Sequence, residues 1–266
     1  MIQEKVRVLW NRKVSSSCYK IGLERSRKYL DSEPGQFIML RLPDQPVPFL
    51  RRPFSIHRLI KKDDRIEGIE LLYKVVGAGT EKLSGYKTGD YVDIVGPLGT
   101  GFAVADNYRR IFIVGGGIGI APLLFLALTL NEKGVDLSGS TLFLGGRTED
   151  EILCKDDFAD LKLGIQIITD DGSSGEKGLV TDLLERGIKE KKPDIICACG
   201  PFAMLESVAR IAETYSVPCR ISIETIMACG IGACLGCAVE KKNGSGKYLH
   251  ACMDGPVFDA STLKMS

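Results

Sequence analysis

Residues 227–239 read Met-Ala-Cys-Gly-Ile-Gly-Ala-Cys-Leu-Gly-Cys-Ala-Val, and a further cysteine follows in the segment His-Ala-Cys-Met-Asp-Gly-Pro-Val at 250–257. Cys229, Cys234, Cys237 and Cys252 are thus spaced C-x4-C-x2-C-x14-C. A [2Fe–2S] cluster needs four thiolates on two irons, and C-x4-C-x2-C…C is the spacing of plant-type ferredoxins. Glycines between the first three cysteines permit the tight loop that brings backbone N–H groups close to the sulfurs. The stretch therefore predicts a cluster-binding module near the C-terminus.

Two other interpretations of this stretch stay open on the residues alone. Zinc ribbons usually pair two C-x2-C knuckles, whereas the spacing here contains one, from Cys234 to Cys237. The cysteines could also be a coincidence of composition with no shared ligand. The spacing favours iron–sulfur over both.

Length and composition limit what the rest of the chain can be. The 266 residues suffice for two domains and a small module, and 44% hydrophobic residues support a substantial core. A net charge of +1 gives no reason to expect nucleic acid or an acidic membrane surface as a partner. The cysteines outside the cluster motif show no disulfide-like rhythm, which favours a reducing cytoplasm. The charged opening at residues 1–6 is typical of a strand rather than a targeting segment.

One uncharged segment, residues 111–130, is long enough on paper to cross a bilayer. Four glycines interrupt its first half, and Pro122 follows them. A strand, a glycine turn and a buried helix explain the pattern better, so we expect no membrane span.

Two different rhythms divide the remaining chain. Up to residue 101, short alternating segments separated by turn residues predict an antiparallel β-barrel without a helix. From residue 107, strands and helices alternate, which predicts a doubly wound parallel α/β sheet. The predicted strands cover 110–114, 141–144, 165–169 and 194–198, and the predicted helices cover 121–132, 152–161, 180–189 and 202–215.

The glycine turn at residues 114–122 lies between a predicted strand and a predicted helix. It is not the G-x-G-x-x-G fingerprint, because Ile120 stands where the last glycine belongs. Glycines in this context allow backbone N–H groups to approach a pyrophosphate at a helix N-terminus. A tight turn without a ligand is the competing interpretation. The candidate nucleotide contacts are Gly115, Gly116, Gly117 and Gly119.

The sequence determines the nucleotide preference weakly. An acidic residue about 20 positions beyond the glycines would bind the ribose. No convincing acid occurs there; Arg147 and the acidic run 149–151 follow the second strand instead. NAD is favoured over NADP.

Within the barrel, residues 50–56 read Leu-Arg-Arg-Pro-Phe-Ser-Ile. An arginine fork suits a diphosphate, and the serine hydroxyl can donate to a ring nitrogen. An edge strand carrying a solvated arginine pair explains the same residues equally well. Residues 77–80, near the segment 72–74, are a second candidate contact for a phosphate or a ring.

The order of these motifs is more specific than any one of them. Arg52-Pro-Phe-Ser55, residues 96–99, residues 115–119, Cys199-Gly-Pro201 and the four-cysteine tail follow one another along the chain. In this respect the whole chain resembles the ferredoxin–NADP reductase-like superfamily. Within it, the tail motif resembles the electron-transfer subunits of NAD-linked (class 1B) dihydroorotate dehydrogenases.

The resemblance implies three domains: 1–101 as an FAD-binding β-barrel, 102–222 as an NAD-binding α/β domain, and 223–266 as a [2Fe–2S] module. It implies that Arg52 binds the FAD pyrophosphate, that Phe54 flanks the flavin, and that Ser55 approaches the flavin N5. It also implies a position near nicotinamide and flavin for Cys199, so Ser55 and Cys199 are the candidate catalytic residues. The further FAD contacts that it implies are Pro53, Leu72, Tyr73, Lys74, Gly79 and Thr80. The candidate metal ligands are Cys229, Cys234, Cys237 and Cys252.

The expected cofactors are FAD and a [2Fe–2S] cluster, with NAD as co-substrate. A nicotinamide moves two electrons as hydride and a cluster moves one at a time, so flavin is the adapter between them. The resemblance implies that electrons pass from the FMN of a catalytic partner subunit through the cluster and FAD to NAD⁺, in pyrimidine biosynthesis. It further implies a heterotetramer with two of each chain, in which dihydroorotate is oxidised on the partner. His57 and His250 have no evident catalytic partner in the sequence.

Two rival functions remain. One is an NAD(P)H-dependent flavin and iron–sulfur reductase subunit that passes electrons to ferredoxin or a sulfur compound. A related group of flavoprotein reductase subunits has an aspartate among its cluster ligands, and cysteine at all four positions argues mildly against that group. The other is a non-catalytic module whose tail holds zinc and mediates subunit contact.

Overall fold

The N-terminal part of the chain is a closed antiparallel barrel, as the alternating pattern predicts. The structure is a computed structural model, and it describes all residues except 25–30, 44–48, 64, 104, 106, 243, 245 and 266. Around the barrel the strands follow the order β1-β2-β5-β4-β3-β6. They are β1 (Ile2–Lys13), β2 (Cys18–Glu24), β3 (Phe37–Arg41), β4 (Arg52–Lys62), β5 (Arg65–Lys74) and β6 (Tyr91–Leu98).

The expectation of a barrel region without a helix is wrong at one place. Helix α1 (Ala78–Ser84) connects β5 to β6, and it buries Leu83 and Thr80 against the barrel. Seven residues make barely two turns, which is too short for a helical period to stand out from a loop in the sequence.

The second half of the chain contains a seven-stranded sheet in the order β10-β9-β8-β7-β11-β12-β15. All neighbouring strands are parallel except β15, which is antiparallel to β12. The strands are β7 (Ile111–Gly116), β8 (Thr141–Gly146), β9 (Gly164–Thr169), β10 (Glu176–Lys177), β11 (Ile195–Cys199), β12 (Cys219–Ser222) and β15 (Val257–Asp259). The helices are α2 (Ile120–Glu132), α3 (Val180–Glu190) and α4 (Phe202–Thr214).

Both faces of this sheet are covered, which confirms the doubly wound architecture. In β7, Ile111 and Ile113 pack with α2 on one face of the sheet. Phe112 and Val114 pack with α3 and α4 on the other face. A strand buried on both sides must be apolar throughout, and this is why β7 has a continuous apolar run.

The helix predicted over 152–161 is wrong in type and extent. One 3₁₀ stretch, Glu149–Glu151, precedes the segment, and a second, Lys155–Leu161, covers most of it. Cys154, between them, has a left-handed backbone with φ 59°, which is incompatible with a continuous α-helix.

The C-terminal segment is joined to both larger units. It forms a two-stranded sheet from β13 (Ala238–Glu240) and β14 (Tyr248–His250), and then adds β15 to the edge of the large sheet. A β-bridge between Thr100 and Pro256 ties it to the end of the barrel region. The three domain limits given above stay a prediction.

None of the helices in the described part of the chain is long and apolar enough to cross a membrane. The uncharged segment 111–130 forms β7, a glycine turn and most of α2, as its glycines predict.

Candidate functional site: two joined cavities beside a four-cysteine loop

A cavity of about 520 Å³ lies where the barrel, the parallel sheet and the cysteine-bearing tail meet. We call it the interdomain cavity. Its lining includes every barrel residue predicted to bind a cofactor, and Cys199 from β11. These residues are Arg52, Pro53, Phe54, Ser55, Leu72, Tyr73, Lys74, Gly79, Thr80 and Cys199.

The two adjacent arginines of the barrel motif have different surroundings. The Arg51 guanidinium donates to the Asp93 carboxylate at 2.8 Å and to the Asp93 backbone carbonyl at 2.8 Å. The Arg52 guanidinium donates only to the carbonyls of Leu50 and Arg51 among the described residues, so its charge has no acidic partner there. Arg52 at the cavity wall is therefore the arginine available to an anionic ligand.

The two aromatic residues of the cavity lining, Tyr73 and Phe54, also have different surroundings. Tyr73 is fully buried in the barrel core, where its hydroxyl donates to the Asn11 side-chain oxygen at 3.1 Å. Burial raises the pKa of this phenol, so the hydroxyl stays neutral. The Phe54 ring contacts Tyr73 edge to face at 6.0 Å between centroids, and Tyr73 stacks on Tyr19 at 5.6 Å. Phe54 is thus an aromatic wall of the cavity that a second ring holds in place.

Cys199 ends β11 and is 3% exposed. Burial, followed by the nearby Glu224 carboxylate, raises the pKa of its thiol to about 12, so the thiol is neutral at physiological pH. Burial likewise raises the pKa of Glu224. Glu224 also lines the interdomain cavity, and it was not predicted from the sequence. Its position as the first charged residue after β12 was the signal that could have identified it.

A second cavity, of about 530 Å³, lies at the glycine turn; we call it the glycine cavity. Gly116, Gly117 and Gly119 line it, whereas Gly115 is a buried strand residue outside the lining. A Cβ on Gly119 would overlap the Cys199 carbonyl oxygen, and Gly117 has a left-handed φ of +52°. These two positions require glycine, because a side chain would either clash or strain the backbone.

The two cavities are adjacent. Lys74, Ile118 and Glu224 line both of them. A ligand at the glycine turn can therefore extend toward Cys199 and the barrel wall.

The glycine cavity also has an acidic residue, Asp170, as a candidate for binding a ribose, and it was not identified from the sequence. Asp170 directly follows β9 and lines the cavity. Asp170 lies much further from the glycine turn than the usual spacing of about 20 residues for a ribose-binding acid. It nevertheless lies at the carboxyl end of a strand in the same sheet. The position after a parallel strand was the signal that could have identified it.

Arg147, the other candidate at this edge, is already paired. Its guanidinium donates to Glu151 at 2.6 Å, and Lys74 Nζ lies 3.1 Å from the same carboxylate. The Arg147 contact, against the opposing effect of burial and with help from Lys74, lowers the pKa of Glu151 to about 2. Glu151 thus pairs with both cations at the cavity edge.

The four predicted metal ligands gather in one loop region. Cys237 Sγ and Cys252 Sγ lie 3.3 Å apart. The backbone N–H groups of Ile231 and Cys234 each donate to Cys229 Sγ at 3.4 Å. Two further sulfurs accept N–H donors: Cys252 from Gly232 at 3.2 Å, and Cys234 from Gly236 at 3.5 Å. Amides aimed at sulfurs stabilise thiolates, as an iron–sulfur site requires.

Two glycines set the shape of this loop. Gly230 and Gly232 have φ values of +72° and +79°. A Cβ on Gly230 would lie 2.4 Å from Met39 Cγ in the barrel. The loop is therefore pressed against β3 so closely that no side chain fits between them.

The arrangement of sulfurs bears on zinc as the competing metal. A tetrahedral zinc ion holds its ligand atoms within a few ångströms of one another. Among the described residues, the three-ligand group whose donor atoms all lie within 4.8 Å of one another is His57, Cys154 and Asp157, not the tail cysteines. The tail sulfurs, with their N–H donors, are the donor set that an iron–sulfur cluster requires.

Comparison with known proteins agrees with this geometry. Three family models match consecutive parts of the chain: an oxidoreductase FAD-binding domain at residues 4–102, an oxidoreductase NAD-binding domain at 113–210, and the iron–sulfur cluster binding domain of dihydroorotate dehydrogenase B at 224–264. The chain thus combines FAD-binding, NAD-binding and iron–sulfur domains.

Curated relatives extend over the full length. The electron transfer subunit of dihydroorotate dehydrogenase B (NAD(+)) from Caldanaerobacter subterraneus subsp. tengcongensis is 42% identical over 261 residues, which is 97% of each chain. The subunit of the same name from Listeria monocytogenes is 36% identical and covers 100% of both chains.

Among solved structures, the one described as an NADH-dependent reduced ferredoxin-NADP oxidoreductase has a TM-score of 0.84 at 32% identity. It covers 98% of this chain and 90% of that one. A ferredoxin NADP⁺ reductase from Neisseria gonorrhoeae, at 16% identity, has a TM-score of 0.65, with coverage of 80% of this chain and 91% of that one, and shows a shared fold. With its full-length relatives and its matching cluster domain, the chain belongs to the family of electron transfer subunits of NAD(+)-dependent dihydroorotate dehydrogenase B.

Proposed function

We propose that this chain is the electron-transfer subunit of an NAD⁺-linked dihydroorotate dehydrogenase and conducts electrons from an FMN-containing catalytic subunit through a [2Fe–2S] cluster and FAD to NAD⁺. The observation that carries the proposal is spatial. The cluster loop, the barrel motif and the glycine turn, which are far apart in sequence, border two adjacent cavities. Met227 of the cysteine loop and Pro256 of the tail line the same cavity as Arg52 and Ser55.

The residues of the interdomain cavity fit FAD. Arg52 would hold the pyrophosphate, because its cation lacks an acidic partner among the described residues. Phe54 would cover one face of the flavin ring, and Ser55 would donate to a ring nitrogen. The remaining predicted contacts, Pro53, Leu72, Tyr73, Lys74, Gly79 and Thr80, would complete the wall.

The residues of the glycine cavity fit a dinucleotide. Backbone N–H groups at Gly116, Gly117 and Gly119 would face the pyrophosphate at the start of α2, whereas Gly115 would shape the strand end behind them. Bound flavin supplies the conversion between one-electron and hydride transfer. The chain itself would bring nicotinamide and flavin together: Cys199 is a neutral thiol in the wall of the interdomain cavity, and it would exclude water without adding a charge.

We also propose that NAD is preferred over NADP. Asp170 places a carboxylate at the glycine cavity, where a 2′-phosphate would be repelled and a ribose hydroxyl could donate. The Arg147 guanidinium, which is the cation best placed to bind such a phosphate, is already paired with the Glu151 carboxylate.

The partner subunit would dock on an apolar rim around the cysteine loop. Ile226 is 89% exposed, and Ile231, Leu235 and Met253 are 41–58% exposed, in the segments that carry the cluster ligands. An apolar patch at an electron-transfer centre suits a stable protein partner. A heterotetramer with two of each chain is the assembly that the family resemblance implies, and the cysteines outside the cluster motif favour a location in the reducing cytoplasm.

Co-expression with the FMN-containing subunit tests this function. We expect the two chains to co-purify and the pair to reduce NAD⁺ with dihydroorotate. A purified chain that carries no flavin and no acid-labile sulfide, or a pair that leaves NAD⁺ unreduced, would contradict the proposal.

A second function has one specific observation in its favour: the 32% identity and TM-score of 0.84 with the NADH-dependent reduced ferredoxin-NADP oxidoreductase structure. In that case the chain would be an NAD(P)H-dependent flavin and iron–sulfur reductase subunit that passes electrons to ferredoxin or a sulfur compound. Reduction of ferredoxin by NADH, with no dihydroorotate-dependent activity in any purified assembly, would select it.

A further inference from the structure

A polar cluster built around one fully buried histidine joins the barrel to the parallel sheet, away from the cysteine loop. His57 lies on β4 of the barrel, and Cys154 and Asp157 lie in the segment after β8. One ring nitrogen of His57, Cys154 Sγ and one carboxylate oxygen of Asp157 all lie within 4.8 Å of one another. None of the three belongs to the proposed cofactor sites.

The histidine is arranged as a metal ligand. It is 0% exposed, and its Nδ1 lies 2.8 Å from the backbone carbonyl of Ala121 in α2. A carbonyl can only accept, so Nδ1 carries the proton and Nε2 presents a lone pair. Nε2 is buried and has no hydrogen-bond partner among the described residues. Histidines that bind metals typically donate their other ring N–H to a carbonyl in this way.

The cations beside Asp157 leave one of its oxygens open. Lys20 donates to Oδ2, and Arg58 Nη1 lies 3.6 Å from Oδ1, beyond normal hydrogen-bond length. Oδ1 therefore has room for another partner, while Lys20 fixes the orientation of the carboxylate as an outer-shell donor does.

We propose that His57 Nε2, Cys154 Sγ and Asp157 Oδ1 bind a zinc ion that ties the barrel to the parallel sheet. Imidazole, thiolate and carboxylate are the ligands zinc takes, and the thiolate formed on binding adds a second anion beside Asp157, which Lys20 already pairs. Binding releases the thiol proton of Cys154 to solvent and involves no change in oxidation state. Water completes the coordination.

The test uses the full chain loaded with FAD and its cluster. After equilibrium dialysis against zinc chloride, zinc and iron per chain are measured by plasma mass spectrometry. Full iron content in the same sample shows that the tail cysteines are occupied. We expect about one zinc per chain in the unchanged protein, and a zinc content at least about tenfold lower in Cys154→Ser and in His57→Gln. The control variant Cys18→Ser, which alters a buried thiol outside the proposed zinc site, should keep its zinc.

X-ray absorption at the zinc edge of the unchanged protein identifies the zinc ligands directly and does not depend on how the variants fold. The proposed site predicts about one sulfur near 2.3 Å with nitrogen and oxygen near 2.0–2.1 Å. Zinc lodged among the tail cysteines would show three or four sulfurs and would overturn the proposal. Failure of the unchanged protein to retain zinc, or zinc retention in both variants equal to that of the unchanged protein, would also overturn it. None of these outcomes bears on dihydroorotate oxidation, so this proposal and the proposed function can fail separately.

Discussion

The Arg51 guanidinium lies 2.8 Å from the Asp93 carboxylate, and this ion pair assigns different roles to two neighbouring arginines. Arg41 binds the same carboxylate at 3.0 Å, so Asp93, which is 3% exposed, serves two cations on the barrel wall. Arg52, one residue further, points its charge at the interdomain cavity without an acidic partner among the described residues.

Because their surroundings differ, substitutions of the two arginines should have different effects. Arg52→Ala should weaken FAD binding by about 10- to 100-fold, because one charge-assisted contact to the diphosphate is lost. Flavin absorbance after extensive dialysis measures the effect. The matched control is Arg51→Ala, which should lower the unfolding temperature because Asp93 loses a buried partner. Full flavin occupancy in dialysed Arg52→Ala would refute the assignment.

Cys234→Ala should abolish the iron–sulfur cluster and spare FAD. A [2Fe–2S] cluster needs four thiolates, and the proposed ligand Cys234 is exposed, so its loss disturbs little packing. Iron, acid-labile sulfide and flavin per chain are the measurements. Electron transfer to the partner should be lost, while NADH oxidation by an artificial acceptor continues.

Cys219→Ala is the control for this variant, since Cys219 is a buried thiol of β12 outside the tail loop. Its iron content should match that of the unchanged protein. Unchanged iron in Cys234→Ala, or equal loss in both variants, would remove the cysteine from the ligand set.

Gly230→Ala should loosen the cluster loop from the barrel. The new Cβ would lie 2.4 Å from Met39 Cγ, and φ at this position is +72°. Strain and overlap together cost about 1–3 kcal/mol, which lowers the unfolding temperature by several degrees. Thermal unfolding and iron retention measure the result.

Gly164→Ala is the matched control for that change. Its Cβ would have no neighbour closer than 3.7 Å, so the unfolding temperature should stay nearly constant. Similar unfolding temperatures for the two variants would mean that the loop does not depend on close contact with β3.

Asp170→Asn should shift the coenzyme preference toward NADPH. Removing the carboxylate at the glycine cavity abolishes its repulsion of a 2′-phosphate, and we expect kcat/KM for NADPH relative to NADH to rise by about tenfold. Reduction of an artificial acceptor by each coenzyme gives the ratio. Asp171→Asn removes an equal charge from a side chain that binds Ser173 in the same turn, and it should leave the ratio unchanged. A ratio that stays constant in Asp170→Asn would assign ribose recognition elsewhere.

The strand and helix periods predicted most of the architecture correctly, and the exceptions have local causes. Helix α1 is too short for a period to be visible, and the segment expected to be helical at 152–161 is broken by the left-handed backbone of Cys154. The C-terminal cysteine-bearing domain was predicted, whereas the pairing of its strand β15 with β12 in the large sheet was not. Strand pairing between distant segments depends on contacts that a local pattern does not contain.

By itself, the sequence determined the metal-binding motif, the barrel and the parallel sheet, because cysteine spacing and apolar period are local properties of the chain. Only the tertiary structure decided which arginine faces the cavity, where Asp170 and Glu224 lie, and that His57 meets Cys154. Those relationships arise when segments far apart in sequence pack together, and the burial and pairing of a charge are set by neighbours that no linear motif identifies.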